Sequence, residues 1–265
     1  MQRLVIANQR GGVSKTTTTA ILARFFGDQG SKVLVIDADP QGSLGLVLGL
    51  KPDHYLHDFL VHNLPLEDCV VEASPNVHVL CGSRDTTVVE AALFGTPGRE
   101  LAFRRQLAAA EDRYDAVLID VSPSINLLQT CSMLYAQQLL IPAAMNMLSL
   151  QGAAACLETA QMLGDTFGTT IRPVALLPVM VDRRFSLTEY ILKALEEMSE
   201  QYRVPLLHAV RTDGTIPRAE RARQFLVDYD AKCKAMEDYL IAALQISELM
   251  KTGQDAEPYR QALTA

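Results

Sequence analysis

Short apolar runs recur along the chain, bounded by Gly, Pro or Asp and separated by segments of helical pattern. Runs of this kind are typical of strands that are buried on both faces of a mainly parallel sheet. The sequence therefore predicts an α/β fold with a doubly wound, mainly parallel sheet flanked by helices. The predicted strands are residues 4–7, 33–36, 77–80, 116–119, 139–141 and 174–181.

Length and composition fit one domain. The chain has 265 residues, of which 49% are hydrophobic, and this is enough for a substantial core. The sequence contains no internal repeat and no low-complexity linker, so we expect a single domain over residues 1–250. From Lys251 onward the composition turns polar, which predicts a loosely held, flexible C-terminal tail over residues 251–265.

Composition also restricts the setting in which the chain works. The N-terminal residues lack the long apolar core of a signal peptide, and no run approaches the roughly 18 apolar residues of a membrane span. The five cysteines form no pattern of zinc spacing, so we expect reduced thiols in a cytoplasmic protein without membrane attachment. A net charge of −7 argues against coating nucleic acid with the whole surface, but it leaves room for a local basic patch.

The most informative stretch is residues 8–17, called the phosphate loop below, which reads NQRGGVSKTT between the first predicted strand and a helix predicted to end near Gly30. Backbone N–H groups of such a loop can surround a polyphosphate, while Lys15 reaches the β/γ oxygens and Thr16 supplies a hydroxyl to Mg²⁺. The loop therefore predicts a bound polyphosphate with Mg²⁺. The candidate nucleotide-binding residues are Gly11, Gly12, Val13, Ser14, Lys15, Thr16 and Thr17.

Three aspartates follow predicted strands and form what we call the carboxylate edge. Asp37 and Asp39 come at the end of the second run, and Asp120 ends the run over residues 116–119. Parallel strands deliver their carboxyl ends to one edge of a sheet, the same edge as the phosphate loop. A single aspartate at such a place more often caps a helix or forms a turn, but three in this order favour a magnesium site with a Walker B carboxylate.

Together these segments resemble the ParA/MinD group of P-loop ATPases. The deviant loop of that group reads KGGxxK[ST] and is followed by a DxDPQG motif, here residues 37–42, and by a Walker B strand. The phosphate loop is similar to the ParA version NQKGGVGKTT, and residues 180–184, 216–218 and 229–240 resemble later ParA motifs. The resemblance spans about residues 3–245 and implies a P-loop fold, ATP and Mg²⁺ as cofactors, and ATP hydrolysis.

The resemblance also implies roles for individual residues. Lys15 corresponds to the Walker A lysine, Thr16 to the magnesium-site hydroxyl and Asp120 to the Walker B aspartate. Asp39 corresponds to the residue that orients or activates the attacking water, and Asp37 to a support of the magnesium-water shell. ATP lies between two subunits of a sandwich homodimer in this family, and Pro217 and Arg218 correspond to residues near the adenine.

Two positions depart from the family pattern. The signature lysine, which reaches the nucleotide of the other subunit, is replaced by Arg10, a bulkier cation that binds phosphate as a planar fork. Ser14 replaces the glycine before the Walker lysine and adds a side chain where backbone and phosphate come close. These departures predict that ATP binding is retained and that turnover is slow. Some carboxysome-positioning relatives of the McdA type also depart at the signature lysine, so the cargo need not be DNA.

A local excess of positive charge lies in residues 203–234, called the basic segment below. Seven Lys or Arg residues stand there against four acidic ones, and such an excess can contact DNA phosphates without reading bases. The resemblance implies nonspecific DNA binding by the ATP dimer, association with the nucleoid and a separate ParB-like or cargo adaptor protein. A solvated helix surface is the alternative. The candidate DNA-binding residues are Arg183, Arg184, Arg221, Arg223, Lys232 and Lys234.

Three other functions stay open. A MinD-like membrane ATPase needs a C-terminal basic amphipathic helix, whereas the C-terminal stretch contains Asp255, Glu257 and Pro258. A metabolic P-loop enzyme or an iron–sulfur reductase of the same superfamily is a second alternative. The reductase would need cysteine ligands for its cluster, and only Cys131 is a candidate. A nucleotide-binding scaffold with little turnover is the third, because of the two departures in the phosphate loop. We expect no operator-specific repression, since no helix-turn-helix precedes the first predicted strand.

Overall fold

The computed structural model describes residues 1–108 and 112–252. These residues form one seven-stranded sheet with helices packed on it. The strand order is β3-β4-β2-β5-β1-β6-β7, and all neighbours are parallel except β3 and β4. The predicted doubly wound, mainly parallel fold is therefore confirmed. The strands are β1 Gln2–Ile6, β2 Val33–Ala38, β3 Val70–Ser74, β4 Val77–Leu80, β5 Ala116–Val121, β6 Gln138–Ala144 and β7 Arg172–Val179.

Helices cover both faces of this sheet. The helices of the first half are α1 Lys15–Asp28, α2 Ser43–Leu48, α3 Leu56–Val61, α4 Leu66–Cys69, α5 Val89–Leu93 and α6 Ala102–Gln106. Those of the second half are α7 Leu127–Ala136, α8 Met147–Phe167, α9 Ser186–Tyr202, α10 Thr215–Ala222, α11 Leu226–Asp230 and α12 Lys234–Thr252. Short 3₁₀ turns occur at Arg84–Val88 and Arg99–Leu101. No helix in the described ranges is long and apolar enough to cross a membrane.

The core lies in two layers, one on each face of the sheet. Strand β5 shows why: Val117 and Ile119 pack into one hydrophobic cluster, whereas Ala116 and Leu118 pack into the other. Successive side chains of a strand point to opposite faces, so a strand covered on both sides must be apolar throughout. This is the physical reason why the short apolar runs predicted the strands.

Strand β3 was missed by the sequence prediction. It pairs antiparallel with β4 at the edge of the sheet, with a register shift between Glu72 and Ser74. Its residues are half-buried or exposed, so the strand carries no continuous apolar run. Edge strands of this kind face solvent and give a weaker sequence signal than buried ones.

The ends of the predicted runs need small corrections. Strand β7 ends at Val179, whereas the prediction extended it to Val181, which forms an isolated bridge with Arg211. Helix α1 ends at Asp28, close to the predicted Gly30. Helix α12 continues through Lys251 and Thr252, the first residues of the predicted tail, and the rest of that tail lies outside the described residues.

Parallel pairing brings the predicted site residues to one edge. Strand β5 lies between β1 and β2, so Asp120 is opposite Ile6 on one side and Asp37 on the other. The phosphate loop leaves β1 at this same edge. The fold thus assembles the loop and the carboxylate edge from segments that are far apart in sequence.

Candidate nucleotide-binding site

The phosphate loop contains two left-handed residues. Gly12 has a φ of 71° and Ser14 has a φ of 57° with a ψ of 27°, immediately before helix α1. Glycine adopts this conformation freely, whereas a residue with a Cβ atom loses roughly 1–2 kcal/mol there. The left-handed backbone therefore explains why the ParA version of the loop has glycine at the position of Ser14. Serine is accommodated there at a conformational cost.

The Lys15 side chain is folded inside the phosphate loop. Its Nζ atom donates to the carbonyl oxygens of Arg10, at 3.1 Å, and Asn8, at 3.4 Å, and only 8% of the residue is exposed. Burial lowers the Lys15 pKa, while Asp120 and Asp39 oppose that shift. An ammonium group has three donors, so two carbonyl contacts leave one for an anion in the loop.

Helix α8 holds the start of the loop. The buried Asn8 side chain donates from Nδ2 to the carbonyls of Pro142, at 2.8 Å, and Ser149, at 3.2 Å. A Cβ atom added to Gly152 would lie 2.2 Å from Asn8 Oδ1 and 3.1 Å from the backbone nitrogen of Arg10. Glycine at position 152 is thus required for this close approach, a requirement that periodicity cannot reveal.

Gln9, which stands where a strict P-loop pattern has glycine, points away from the loop. Its Nε2 atom donates to the Ala155 carbonyl at 3.2 Å and to the Thr159 hydroxyl at 2.9 Å, both on α8. The long side chain therefore anchors the loop to a helix and leaves the inside of the loop free.

Asp120 and Thr16 form the closest polar pair of the site. The Thr16 hydroxyl donates to Asp120 Oδ2 at 2.6 Å, whereas the buried Asp120 Oδ1 has no hydrogen-bond partner within the described part of the chain. Burial raises the Asp120 pKa to about 7, while Thr16 and the nearby Lys15 oppose the shift. A buried carboxylate oxygen without a partner is costly, and it suits a hard cation that takes oxygen ligands. The residues present therefore fit Mg²⁺.

Asp37 organises the turn after β2. Its Oδ1 atom accepts from the Asp39 backbone amide at 3.1 Å, and its Oδ2 atom accepts from the Leu44 amide at 3.0 Å. Burial and the neighbouring Asp120 raise the pKa of Asp37 well above its usual range. Asp39 itself is half-buried, and its Oδ1 atom accepts from the amide of Gln41 at 2.8 Å.

Gly82, which follows β4, lies against this turn. A Cβ atom at position 82 would come within 2.5 Å of the Asp39 carbonyl and 2.7 Å of the Asp37 carbonyl. The sequence prediction overlooked Gly82 because its contacts are made by backbone atoms.

Three successive threonines attach the first turn of α1 to three other elements. Thr16 binds Asp120 of β5, the Thr17 hydroxyl donates to Glu220 of α10 at 3.0 Å, and Thr18 shares a 3.1 Å hydrogen bond with Tyr239 of α12. Burial raises the pKa of Tyr239 to about 12, and its hydrogen bonds to Thr18 and Ser14 oppose that shift. Sequence reasoning did not identify Glu220 or Tyr239 as part of the site, although both lie within or beside the later motifs.

Among the other residues predicted near the nucleotide, Val13 is buried in a hydrophobic cluster, whereas Arg10, Pro217 and Arg218 are exposed. Arg10 projects from the phosphate loop, while its backbone carbonyl accepts from Lys15. Arg218 folds back on the start of α10, where it donates to the Gly214 carbonyl at 2.9 Å and to the Thr215 hydroxyl at 3.0 Å. Pro217 is exposed beside it, one turn before the residue that binds Thr17.

The candidate DNA-binding residues are also exposed. Four of them form no ion pair within the described ranges, namely Arg221, Arg223, Lys232 and Lys234. Arg183 is exposed, whereas Arg184 pairs with Asp182 through its Nε atom at 2.9 Å. Within the basic segment, Arg211 is held by Asp238 at 2.7 Å, so its charge is locally balanced.

This loop between a strand and a helix, with a buried lysine and a Thr–Asp pair at the carboxyl edge of a parallel sheet, defines a P-loop nucleotide-binding protein. Comparison with known proteins gives the family. The family described as "AAA domain" matches residues 1–172. The chromosome partitioning protein ParA of Caulobacter vibrioides is 31% identical over 257 residues, which covers 92% of this chain and 92% of the relative. The chain belongs to the ParA/MinD family of P-loop ATPases and, within it, to the partition ATPases that include ParA and Soj.

Solved structures share the fold of this chain. Apo McdA of Cyanothece has a TM-score of 0.83 at 22% identity and covers 94% of this chain and 99% of its own, which shows the fold. Cobyrinic acid a,c-diamide synthase of Mycobacterium smegmatis, with bound ADP and magnesium, has a TM-score of 0.80 at 27% identity, with coverage of 95% and 96%. The predicted family and fold are confirmed, and binding of nucleotide with magnesium is supported as a family property.

Proposed function

We propose that this chain is a ParA-type ATPase that binds ATP with Mg²⁺ in a sandwich homodimer and uses turnover to position cargo. The observation that carries the proposal is the arrangement at the sheet edge, where Lys15 lies inside the phosphate loop and Thr16 contacts Asp120. Membership of the partition ATPase family supports the same function.

In this proposal the loop backbone and Lys15 bind the β/γ phosphates. Thr16 and Asp120 would hold the magnesium ion, and the buried Asp37 would fix the turn beside its water shell. A bound magnesium ion supplies positive charge that neutralises the phosphate oxygens. Asp39 orients the attacking water, a role supported by its partial exposure and by its place next to Asp37.

Three exposed residues would contact parts of the nucleotide other than the phosphates bound by their own loop, or the nucleotide of a second subunit. Arg10 contacts the nucleotide of the partner subunit, which is supported by its exposure at the loop surface. Pro217 and Arg218 lie near the adenine, which is supported by the contact between Thr17 and Glu220 that brings α10 to the loop.

Nonspecific DNA binding by the dimer completes the proposal, with the chain associated with the nucleoid in the cytoplasm. The candidates Arg221, Arg223, Lys232 and Lys234 are exposed, as are Arg183 and Arg184, and DNA phosphates need only such accessible cations. A ParB-like or cargo adaptor protein would stimulate hydrolysis. We further propose one domain over residues 1–250, followed by a polar tail.

The test is nucleotide binding and ATP turnover by the purified chain. We expect tight binding of ATP in the presence of Mg²⁺, and hydrolysis that increases with DNA. Lys15→Ala should lose most of the binding, because it removes the phosphate-facing cation. Arg10→Ala should weaken dimerisation or turnover more than it weakens binding by the monomer. Unchanged affinity in Lys15→Ala would refute the loop assignment.

A nucleotide-binding scaffold with little turnover is the second candidate, favoured by the left-handed conformation of Ser14. Its side chain lies at the loop position where the related pattern has no side chain. Single-turnover hydrolysis separates the two functions, since a scaffold would retain bound ATP in the presence of DNA and Mg²⁺. Restoration of turnover by Ser14→Gly would identify the serine as the cause.

A further inference from the structure

Two histidines and one aspartate form a side-chain cluster at helix α3. Three of the five histidines in the chain fall between positions 54 and 62. The imidazole rings of His57 and His62 meet edge to face, with centroids 4.9 Å apart. One ligand atom from each of His57, Asp58 and His62 lies within 4.8 Å of the others.

The backbone of α3 explains this grouping. Asp58 and His62 are one helical turn apart, and the His62 amide donates to the Asp58 carbonyl at 3.1 Å. Residues at this spacing share a helix face. The Asp58 carboxylate is held in place because its Oδ2 atom accepts from the Tyr55 amide at 2.8 Å. A ligand carboxylate that is already oriented by a hydrogen bond is typical of protein metal sites.

The charge around the cluster favours a cation. Burial raises the pKa of the neighbouring Cys69 to about 11, and the carboxylates of Asp58, Asp68 and Glu67 add to this shift. Glu67 is paired with Arg113 at 3.0 Å, whereas Asp58 and Asp68 form no ion pair within the described residues. The charge of these nearby carboxylates therefore favours a cation beside the two imidazole rings.

We propose that His57, Asp58 and His62 form a binding site for a borderline divalent cation of the Zn²⁺ type. Two imidazole nitrogens and one carboxylate oxygen suit such a metal, whereas Mg²⁺ and Ca²⁺ prefer oxygen ligands throughout. His57 and Asp58 are half-exposed and His62 is exposed, so the metal can enter and solvent can fill the remaining coordination position.

The site would act on the end of α3. His62 follows the last residue of the helix, and Asn63 after it has a left-handed φ of 54°. Metal binding would tie this end to the middle of the helix and stiffen the turn. The start of α3 is fixed to the sheet because the Leu56 amide donates to the Cys81 carbonyl at 2.9 Å. The metal site is thus joined through one short helix to the residue that precedes Gly82.

Calorimetric titration of Zn²⁺ into the full chain tests this proposal, with excess Mg²⁺ and ADP present so that the phosphate loop is occupied. We expect one Zn²⁺ per chain. His62→Gln should lower the affinity at least about tenfold, and Asp58→Asn should lower it while keeping an acceptor for the Tyr55 amide. His54→Gln is the matched control, because it removes a nearby histidine outside the cluster.

Cobalt substitution gives a second readout, since imidazole ligation should produce visible absorption bands that disappear in His62→Gln. Circular dichroism should show that each variant is folded. The proposal is overturned if the parent chain binds no Zn²⁺ under these conditions. It is also overturned if His62→Gln binds as tightly as the parent, or if His54→Gln loses as much affinity as His62→Gln.

Discussion

The phosphate loop and the basic segment are built in opposite ways. In the loop, Asn8 and Lys15 are buried and each binds backbone carbonyls, and the neighbouring Thr16 is fixed by Asp120. In the basic segment, Arg221 and Lys232 are exposed and form no ion pair with a described residue. A site that aligns one ligand for chemistry needs fixed geometry, whereas contact with a uniform polyanion needs only accessible charge. Substitutions should therefore have sharp effects in the loop region and graded effects in the segment.

The largest effect should come from the carboxylate edge. Asp39→Ala should retain ATP binding but lower the rate of hydrolysis by about 100-fold or more, because a water-positioning carboxylate acts mainly in the transition state. Binding and turnover would be measured on the same preparation, with Asp165→Ala on the exposed side of α8 as the control. If Asp39→Ala hydrolyses ATP at the parent rate, Asp39 does not position the attacking water.

A steric change behind the loop should come next. Gly152→Ala places a Cβ atom 2.2 Å from Asn8 Oδ1, so it should destabilise the fold by about 2 kcal/mol and weaken nucleotide binding. Gly214→Ala is the matched control, since nothing lies within 4 Å of its added Cβ atom. Thermal unfolding and ATP titration would measure both effects. Equal stability of the two variants would contradict the tight packing of α8 against the loop.

The basic segment should respond more gradually. Arg221→Glu combined with Arg223→Glu should lower DNA affinity about tenfold or more at low salt, by a similar factor on unrelated duplexes, and should leave ATP binding intact. Arg84→Glu combined with Arg104→Glu changes the net charge equally on another exposed surface and serves as the control. An equal loss in the control pair would mean that net charge, rather than this segment, governs DNA binding.

The smallest effect should appear at Ser14. Because its φ is 57°, Ser14→Gly should be more stable than Ser14→Ala by about 1 kcal/mol, and both variants lack the hydroxyl. The same pair at Ser247, inside helix α12, should show the opposite order, since glycine disfavours a helix interior. Chemical denaturation of the four variants would measure the difference. The same order at both positions would rule out backbone strain in the loop.

The sequence predicted those parts of the molecule whose signals are local. The strands could be predicted because burial on both faces makes them apolar. The phosphate loop could be predicted because a left-handed backbone favours glycine at position 12 and a phosphate ligand requires a cation at position 15. The contact between Thr17 and Glu220 joins residues 203 positions apart, and no local pattern encodes it. The fit of Gly152 against Asn8 depends on how α8 packs, which the sequence of either segment alone does not determine.

The first turn of helix α1 links three separate elements of the fold. Successive side chains on a helix diverge by about 100° around its axis, so three consecutive hydroxyls reach three separate neighbours. Thr16, Thr17 and Thr18 use this divergence to join β5, α10 and α12 at a single turn. If α1 rotates about its axis relative to these elements, the three hydrogen bonds cannot all be kept. Arg221 of the basic segment directly follows Glu220, which accepts the hydrogen bond from Thr17. A movement of α1 is therefore passed to this exposed arginine through one peptide bond.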